Sequence, residues 1–247
     1  QCIHLKNIAT GCYSPLNGFM TQTEFQSVLD AGKLPNNIDW KVPILFHVPK
    51  DREGQIKEGV EVNLGDEAGN IVAIMEVTSC FEIDLKAYCS AVMGTNNTAH
   101  PGVSGIMKQS RQCIGGPVKL SVSAIANHPF EKTPSKIRDL LKGSTATRFT
   151  AFSTRNISHR GHEYQHQIAF EKNGFLGVHV ITGAALAGSF LPDIVLDTYQ
   201  MLAREIYSHE RVLINNIRLP PIYAGPKEAF LQATVLQNMG FTQFIVG

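Results

Sequence analysis

Short apolar runs broken by turn residues mark the first half of the chain. The runs lie at 42–46, 60–64, 71–75 and 118–122, and Gly-Asp, Gly-Asn and Gly-Gly pairs punctuate this region. Short strands that alternate with turns are typical of β-rich barrels, and an amphipathic pattern at 23–31 predicts one helix. We therefore predict a β-rich, barrel-like domain over residues 1–127.

The second half of the chain has a longer period. Predicted strands at 149–153, 176–182, 212–215 and 241–246 alternate with predicted helices at 161–171, 193–207 and 226–239. Between the two halves, residues 128–145 contain two prolines and a short basic helix at 135–142, so we assign them to a linker. Strands that alternate with helices predict βαβ units in a parallel, doubly wound sheet over residues 146–247. Such sheets bind ligands at the carboxyl ends of their strands.

Charge and cysteine content exclude several classes of function. The 247 residues carry a net charge of +1, so no overall field favours nucleic acid or an anionic membrane as a partner. The five cysteines include no Cys-x-x-Cys pair, which argues against a disulfide framework and a cysteine zinc site. No apolar stretch approaches the roughly 18 residues that a membrane span needs. We therefore expect free thiols and a cytoplasmic location.

The loop after the first strand of the second half gathers polar groups suited to phosphate. It reads Ser-Thr-Arg-Asn-Ile-Ser-His-Arg-Gly-His-Glu over residues 153–163. Backbone N–H groups at the start of a helix attract anions, and Arg155 and Arg160 add charges that can bind an oxyanion with two hydrogen bonds. His159 and His162 lie three residues apart, on one face of the predicted first turn. The sequence therefore predicts an anion site in this loop.

Two other interpretations of the loop remain open. In one, Asn156 or Ser158 caps the helix and the histidines are simply solvated. In the other, residues 162–166 match the His-Glu-x-x-His of zinc metalloproteases, in which two histidines share a helix face and the Glu activates a zinc-bound water. Neither short extended form of that motif continues, because Glu171 and Lys172 stand where a third His is needed. A distal ligand such as Glu205 or Glu210 stays possible, but a zinc motif leaves the Thr-Arg-Asn run and His159 unexplained, so we expect no metal site here.

The loop resembles the signature of the ATP sulfurylases, Gln-Thr-Arg-Asn-Pro-x-His-x-x-His-Glu. Three further stretches resemble family segments in the same order: Gly-Cys-Tyr-Ser-Pro-Leu-Asn-Gly-Phe-Met at 11–20, His-Pro-Gly-Val and Gly-Gly-Pro-Val at 100–103 and 115–118, and Ala-Gly-Pro-Lys-Glu-Ala, Asn-Met-Gly and Phe-Ile-Val-Gly at 224–229, 238–240 and 244–247. The resemblance implies an α/β protein with an N-terminal PUA-like β-barrel domain and a Rossmann-like, doubly wound nucleotidyltransferase domain. It also implies transfer of the adenylyl group of ATP, bound with Mg²⁺, to sulfate, which yields adenylyl sulfate and pyrophosphate.

The resemblance assigns roles to individual residues. Arg155 would hold sulfate, and two histidines would contact the phosphates of ATP. The implied catalytic residues are Thr154, Arg155, Asn156, His159 and His162, and the implied substrate-binding residues are Ser153, Arg155, Gly225 and Gly247. A homo-oligomer is left open.

The sequence departs from the family pattern at three places, and these departures leave alternative functions open. Ser153 stands where the family has Gln, and residues 182–189 replace a loop that carries Lys and a Gly-Asp pair. The family continues after Gly247 with Arg-Asp-His-Ala-Gly, whose Arg is a second sulfate ligand, so we expect this chain to be part of a longer polypeptide. The alternatives are a related nucleotidyltransferase with a different acceptor and a non-catalytic nucleotide-binding relative.

Overall fold

The chain forms two compact units. A computed structural model describes residues 1–66, 68–120, 128–183, 188–207 and 209–246. One unit comprises Gln1–Ala126 and Pro221–Leu231, and the other comprises Asn127–Pro220 and Gln232–Gly247. Contacts thus group residues 221–231 with the first unit and residues 128–145 with the second. The domain boundaries proposed from the sequence, 1–127, 128–145 and 146–247, stay a prediction.

The first unit is built around one long strand, β6, which pairs with four shorter strands. Its sheet follows the order β1-β6-β4-β3, and β2 and β5 also pair with β6, all antiparallel. A 3₁₀ turn lies at Lys50–Arg52. In chain order the elements are α1 (Cys2–Ala9), β1 (Gly18–Phe19), α2 (Gln22–Ala31), β2 (Phe46–His47), β3 (Glu61–Gly65), β4 (Ile71–Glu76), β5 (Ser79–Glu82), α3 (Leu85–Met93), α4 (Pro101–Ile106) and β6 (Gln112–Leu120).

Two glycines in β6 allow the other strands to approach it closely. A Cβ atom added to Gly115 would lie 2.2 Å from the Met20 carbonyl oxygen. One added to Gly116 would lie 2.0 Å from the Glu76 carbonyl oxygen, and Gly116 also has a φ of +145°, which residues with side chains rarely adopt. The Gly-Gly pair, which the sequence pattern predicts to be a turn, therefore lies inside a strand, where it permits close backbone packing.

Three helices in the first unit were not predicted from the sequence. The missed helices are α1, α3 and α4, so this unit is less uniformly β-structured than expected. Helix α3 begins at a clear cap, because the Asp84 carboxylate accepts hydrogen bonds from the backbone N–H groups of Lys86 and Ala87. Its buried residues, Leu85, Tyr88, Cys89 and Val92, follow a helical period that short-strand patterning had obscured.

The predicted strand at 42–46 is wrong except for its last residue. Val42, Ile44 and Leu45 are buried, but only Phe46 belongs to a strand. Pro43 has no backbone N–H to donate to a ladder, and the Ile44 carbonyl instead accepts a hydrogen bond from Met20. An apolar run thus marks burial here without strand pairing.

The second unit has the predicted alternation of strands and helices. Its four strands are all parallel, in the order β10-β7-β8-β9. This parallel sheet with intervening helices confirms the Rossmann-like prediction. A 3₁₀ turn lies at His209–Arg211. The elements are α5 (Pro134–Lys142), β7 (Arg148–Thr154), α6 (Arg160–Phe170), β8 (Gly174–Thr182), α7 (Pro192–Glu205), β9 (Val212–Arg218), α8 (Pro226–Asn238), whose first residues group with the first unit, and β10 (Gln243–Ile245).

The core of the second unit lies between the sheet and helices α6 and α7. Alternate side chains of the strands face these helices, and the buried cluster includes Phe152, Ala169, Val178, Val180, Val195, Leu196 and Tyr199. His179 points to the opposite face, where its ring packs edge-on against Phe241 with centroids 4.9 Å apart. Because α6 and α7 are fixed by this core, the start of α6 is fixed relative to the end of β7.

Candidate functional site

The strand order places a ligand crevice at the end of β7. From β7 the chain proceeds to β8 and then β9 on one side, whereas β10 pairs with β7 on the other side. The direction of strand addition therefore reverses next to β7. In doubly wound sheets ligands bind outside the carboxyl ends of the strands at this reversal point. The loop of residues 155–159, which leads from β7 to α6, lies there.

Thr154 gives the loop its first turn. It is the last residue of β7, it is buried, and its hydroxyl accepts a hydrogen bond from the Asn156 backbone N–H at 3.0 Å. The same hydroxyl lies 3.3 Å from the Asn156 carbonyl oxygen. Thr154 thus shapes the backbone of the loop, and the Asn156 side chain lies exposed at its surface.

His159 caps helix α6. Its Nδ1 accepts a hydrogen bond from the Gly161 backbone N–H at 3.1 Å, and its backbone is extended as at other N-caps. The alternative interpretation in which Asn156 or Ser158 caps this helix is therefore wrong about the capping residue. Because Nδ1 is the acceptor, a neutral His159 carries its proton on Nε2, which leaves an N–H donor on the exposed side of the ring.

His162 lies against His159 one turn into the helix. The two rings stack with centroids 3.8 Å apart and planes 22° apart, and Phe152 packs against His162 at 5.1 Å. Burial lowers the pKa of His162, the charge of His159 lowers it further, and a hydrogen bond with the Ile157 backbone acts in the opposite direction. The folded structure therefore favours the neutral form of His162, which donates a hydrogen bond without adding a full charge.

Arg155 reaches along the carboxyl edge of the sheet. Its Nη2 donates a hydrogen bond to the Leu219 carbonyl at 3.3 Å, and Leu219 follows directly on β9. The side chain is half-buried. A guanidinium has five N–H donors, so one arginine can bond to more than one group. Thr154, Arg155, Asn156, His159 and His162 are thus brought together in one loop and one helical turn.

Ser153 differs from the other residues of the loop region. Adjacent residues of a strand point to opposite faces, so the Ser153 side chain lies on the face opposite that of Thr154. Its Oγ is buried and makes no hydrogen bond within the described part of the chain. A short buried hydroxyl here cannot reach as far as the Gln of the family signature. The assignment of Ser153 to substrate binding stays a prediction.

The two remaining predicted site residues, Gly225 and Gly247, are not part of the loop after β7. Gly247 is outside the described residues. Gly225 belongs to the first unit, has a φ of +54°, and lies directly before α8. Beside it, the Glu228 carboxylate accepts hydrogen bonds from the backbone N–H groups of Ile222 and Ala224, both at 3.3 Å. A side chain of the chain itself therefore already occupies these backbone donors, and the role of Gly225 stays a prediction.

His166, the second histidine of the His-Glu-x-x-His pattern, is fully buried. Its Nδ1 lies 2.9 Å from the Tyr207 hydroxyl, and its ring lies 6.4 Å from that of His162. Within the described residues no three His, Cys, Asp or Glu side chains form a group that could hold a metal ion. Nothing in this part of the chain therefore favours the hydrolase interpretation over the others.

The buried histidines predict a loss of stability in mild acid. Burial lowers the pKa of His179 to about 3, and burial together with the charge of His162 lowers that of His166 to about 4. Both pKa values lie below the ordinary value of 6.5, so the unfolded chain binds protons first and stability falls as the pH drops from 6.5 towards 4. Each group contributes a slope of at most about 1.4 kcal/mol per pH unit.

Urea unfolding of the protein at pH 7.0, 6.0 and 5.0, followed by circular dichroism, measures this slope. Most carboxylates titrate below pH 5, so a change in unfolding free energy between pH 7.0 and pH 5.0 arises mainly from histidines. An unfolding free energy that stays constant from pH 7 to pH 5 would show that these rings gain access to water or a proton acceptor in the folded state.

Comparison with known proteins agrees with this geometry. Residues 1–123 match the family described as PUA-like domain, and residues 128–247 match the family described as ATP-sulfurylase. The sulfate adenylyltransferase of Hyperthermus butylicus is 36% identical over 98% of this chain and 62% of its own length. Those of Ignicoccus hospitalis and Staphylothermus marinus are 34% and 33% identical over 98% and 100% of this chain and 63% and 65% of their own lengths.

A solved structure shows the same fold at lower identity. The hexameric APS kinase from Thiobacillus denitrificans superposes with a TM-score of 0.76 at 21% identity, and the match covers 99% of this chain and 45% of that one. Together the fold and the two matched regions define a PUA-like domain followed by a Rossmann-like domain of the ATP-sulfurylase type. The chain belongs to the ATP sulfurylase family, and it spans less than two thirds of the length of the relatives named above.

Two further observations describe the chain as a whole. Among the described residues, no helix combines the length and the apolar character that a bilayer crossing requires. All five cysteines are unpaired, and burial raises the pKa of the Cys113 thiol to about 12. The prediction of free thiols is therefore confirmed, and Cys113 is protonated at neutral pH.

Proposed function

We propose that the protein to which this chain belongs is a sulfate adenylyltransferase, which converts ATP and sulfate to adenylyl sulfate and pyrophosphate. The observation that carries the proposal is the loop after β7. It presents a guanidinium, two stacked imidazoles and the N-terminus of α6 at the reversal point of the sheet. The sulfate adenylyltransferases named above, which match nearly the whole chain, support the same reaction.

The proposed reaction is a direct transfer. A sulfate oxygen attacks the α-phosphorus of ATP and forms the new P–O bond. The bond from that phosphorus to the bridging oxygen breaks, and its electron pair leaves with pyrophosphate. No proton moves, since sulfate is already anionic, so a general base has no task. The barrier arises largely from repulsion between two anions, and positioned donors lower it.

We assign the residues of the loop to the two anions. Arg155 binds sulfate with paired hydrogen bonds, which the planar guanidinium offers and an ammonium does not. His159 and His162 donate to the phosphates of ATP from the start of α6, where the helix dipole also favours negative charge. Thr154 and Asn156 hold the turn that places these groups. Ser153, Gly225 and Gly247 contribute to substrate binding in this proposal.

ATP enters this reaction with a divalent metal ion, as nucleotidyl transfer generally requires, and we propose Mg²⁺. The described part of the chain gathers no carboxylate cluster suited to the ion, so the ion is held by the phosphates and arrives as part of the substrate. The proposal includes a cytoplasmic location, in keeping with the unpaired cysteines, and no nucleic-acid or membrane partner. A homo-oligomeric assembly is compatible with it.

A coupled luminescence assay tests the reaction in reverse. With Mg²⁺, adenylyl sulfate and pyrophosphate, the full-length protein is expected to form ATP, which luciferase detects. Omission of either substrate provides the blank, and omission of Mg²⁺ tests the metal. Absence of ATP formation by the folded, full-length protein would rule out this function and favour a relative with a different acceptor or without catalysis.

A further inference from the structure

Tyr199 connects helix α7 to the candidate catalytic loop. It is fully buried, it lies 37 residues from His162 in the sequence, and its hydroxyl oxygen is 3.3 Å from His162 Nδ1. Burial raises the pKa of Tyr199 to about 12, and hydrogen bonds with the hydroxyls of Thr154 and Ser158 act in the opposite direction.

Besides this phenol, His162 contacts the rings of His159 and Phe152 and makes a hydrogen bond with the Ile157 backbone. His159 stacks on one side of the ring and Phe152 packs against it at 5.1 Å, and these contacts restrict the plane of the imidazole. Packing on a ring does not distinguish its two nitrogens. A hydrogen bond to Nδ1 does so, because it decides which nitrogen faces the protein and which faces the crevice.

A hydroxyl is suited to this task in either state of the histidine. The phenol donates to Nδ1 when that nitrogen is unprotonated and accepts from it when it carries a proton. Tyr199 remains protonated throughout the neutral range, so its own charge does not change. The same contact therefore survives any change in the protonation of His162 during turnover.

We propose that Tyr199 is a positioning residue for adenylyl transfer, which holds His162 by its Nδ1 so that Nε2 faces the phosphates. The inference rests on the proposed function for its kinetic consequence, whereas the Tyr199–His162 coupling itself needs no substrate to be observed. Tyr199 acts through His162, and it does not itself touch the reacting atoms.

The chain offers a matched control in the next tyrosine–histidine pair. The Tyr207 hydroxyl lies 2.9 Å from Nδ1 of the fully buried His166. Tyr199→Phe and Tyr207→Phe each remove one hydroxyl with its hydrogen bond to a histidine of α6 and keep the aromatic ring, and Tyr199→Phe also removes the contacts of that hydroxyl with Thr154 and Ser158. We expect Tyr199→Phe to lower kcat about tenfold or more and to change the KM for sulfate less than twofold, since misplacement of a catalytic group acts mainly on turnover.

Tyr207→Phe is expected to lower the melting temperature and to leave kcat within about twofold. A double-mutant cycle then tests whether Tyr199 acts through His162. In the His162→Ala background, Tyr199→Phe should have little further effect on kcat, because the ring that it orients is gone. Multiplicative effects of the two substitutions on kcat would overturn the proposal and give Tyr199 a purely structural role.

Ring-nitrogen NMR of ¹⁵N-histidine-labelled protein provides a readout that is independent of activity. Tyr199→Phe should shift the Nδ1 and Nε2 signals of His162 and leave those of His166 in place, and Tyr207→Phe should do the reverse. Unchanged His162 signals in Tyr199→Phe would overturn the assignment whatever the kinetics. A wild-type protein that makes no ATP would contradict the proposed function, whereas the ring signals would still decide the coupling.

Discussion

Replacement of Arg155 is expected to cause the largest loss of sulfate use of any single change in the loop. We expect Arg155→Ala to lower kcat/KM for sulfate by about a hundredfold or more, the typical effect of losing one strong donor to a developing anion. Arg155→Lys keeps the charge, but we expect it to lose tenfold or more. An ammonium is a single point charge and cannot reproduce two parallel hydrogen bonds. Sulfate must exchange its water for fixed donors, so donor geometry is decisive.

A matched substitution at the other end of the same strand controls for general effects. Arg148 opens β7, and its guanidinium donates to the Gln243 side chain at 2.9 Å, at the opposite edge of the sheet from the loop. Arg148→Lys should therefore leave sulfate kinetics within about twofold. Initial rates with sulfate and with the analogue molybdate measure both variants. Near-normal sulfate kinetics in Arg155→Lys would show that Arg155 is not the sulfate ligand.

The second unit was largely predictable because its local and global signals agree. The strand at 148–154, the polar loop and the helix at 160–170 follow one another with clear changes of period, and structure and prediction differ there by one residue at each boundary. A parallel sheet then dictates that the loop lies at a carboxyl edge. The location of the candidate site follows from these facts without any knowledge of tertiary contacts.

The first unit was less predictable because some of its apolar runs are buried without forming strand pairs. The apolar run at 42–46 is buried without a ladder, and the period of α3 was masked by neighbouring short strands. The Gly115-Gly116 pair looks like a turn in the sequence, whereas its actual role depends on the carbonyls of Met20 and Glu76, which are distant in the chain. Such backbone contacts have no local signature.

Two features of the candidate site are also not predictable from the sequence pattern. His159 serves as the N-cap of α6, although Ser, Thr, Asn and Asp are the usual residues at that position and both Asn156 and Ser158 were near. Tyr199 lies on the apolar face of α7 between Leu196 and Leu202, so by period it is an ordinary core residue. The one available signal was chemical, since a buried phenol usually finds a hydrogen-bond partner.

His159 carries two tasks, and two substitutions separate them. Asn can accept the Gly161 N–H as a cap, whereas Ala cannot. We expect His159→Asn to keep the unfolding free energy within about 0.5 kcal/mol of wild type, and His159→Ala to lose about 1 kcal/mol. Both variants lack the imidazole that stacks on His162 and donates towards the crevice, so both should lower kcat about a hundredfold with little change in the KM for sulfate.

Paired measurements of urea unfolding and of ATP synthesis from adenylyl sulfate decide between the two tasks. If the ring contacts the phosphates, His159→Asn keeps the unfolding free energy of the wild type but has a much lower kcat. If His159 is only a cap, Asn restores both together, and the variant works nearly as well as wild type. The second result would remove His159 from the catalytic set and leave His162, held by Tyr199, as the imidazole of the site, because His166 lies buried a further turn along the helix.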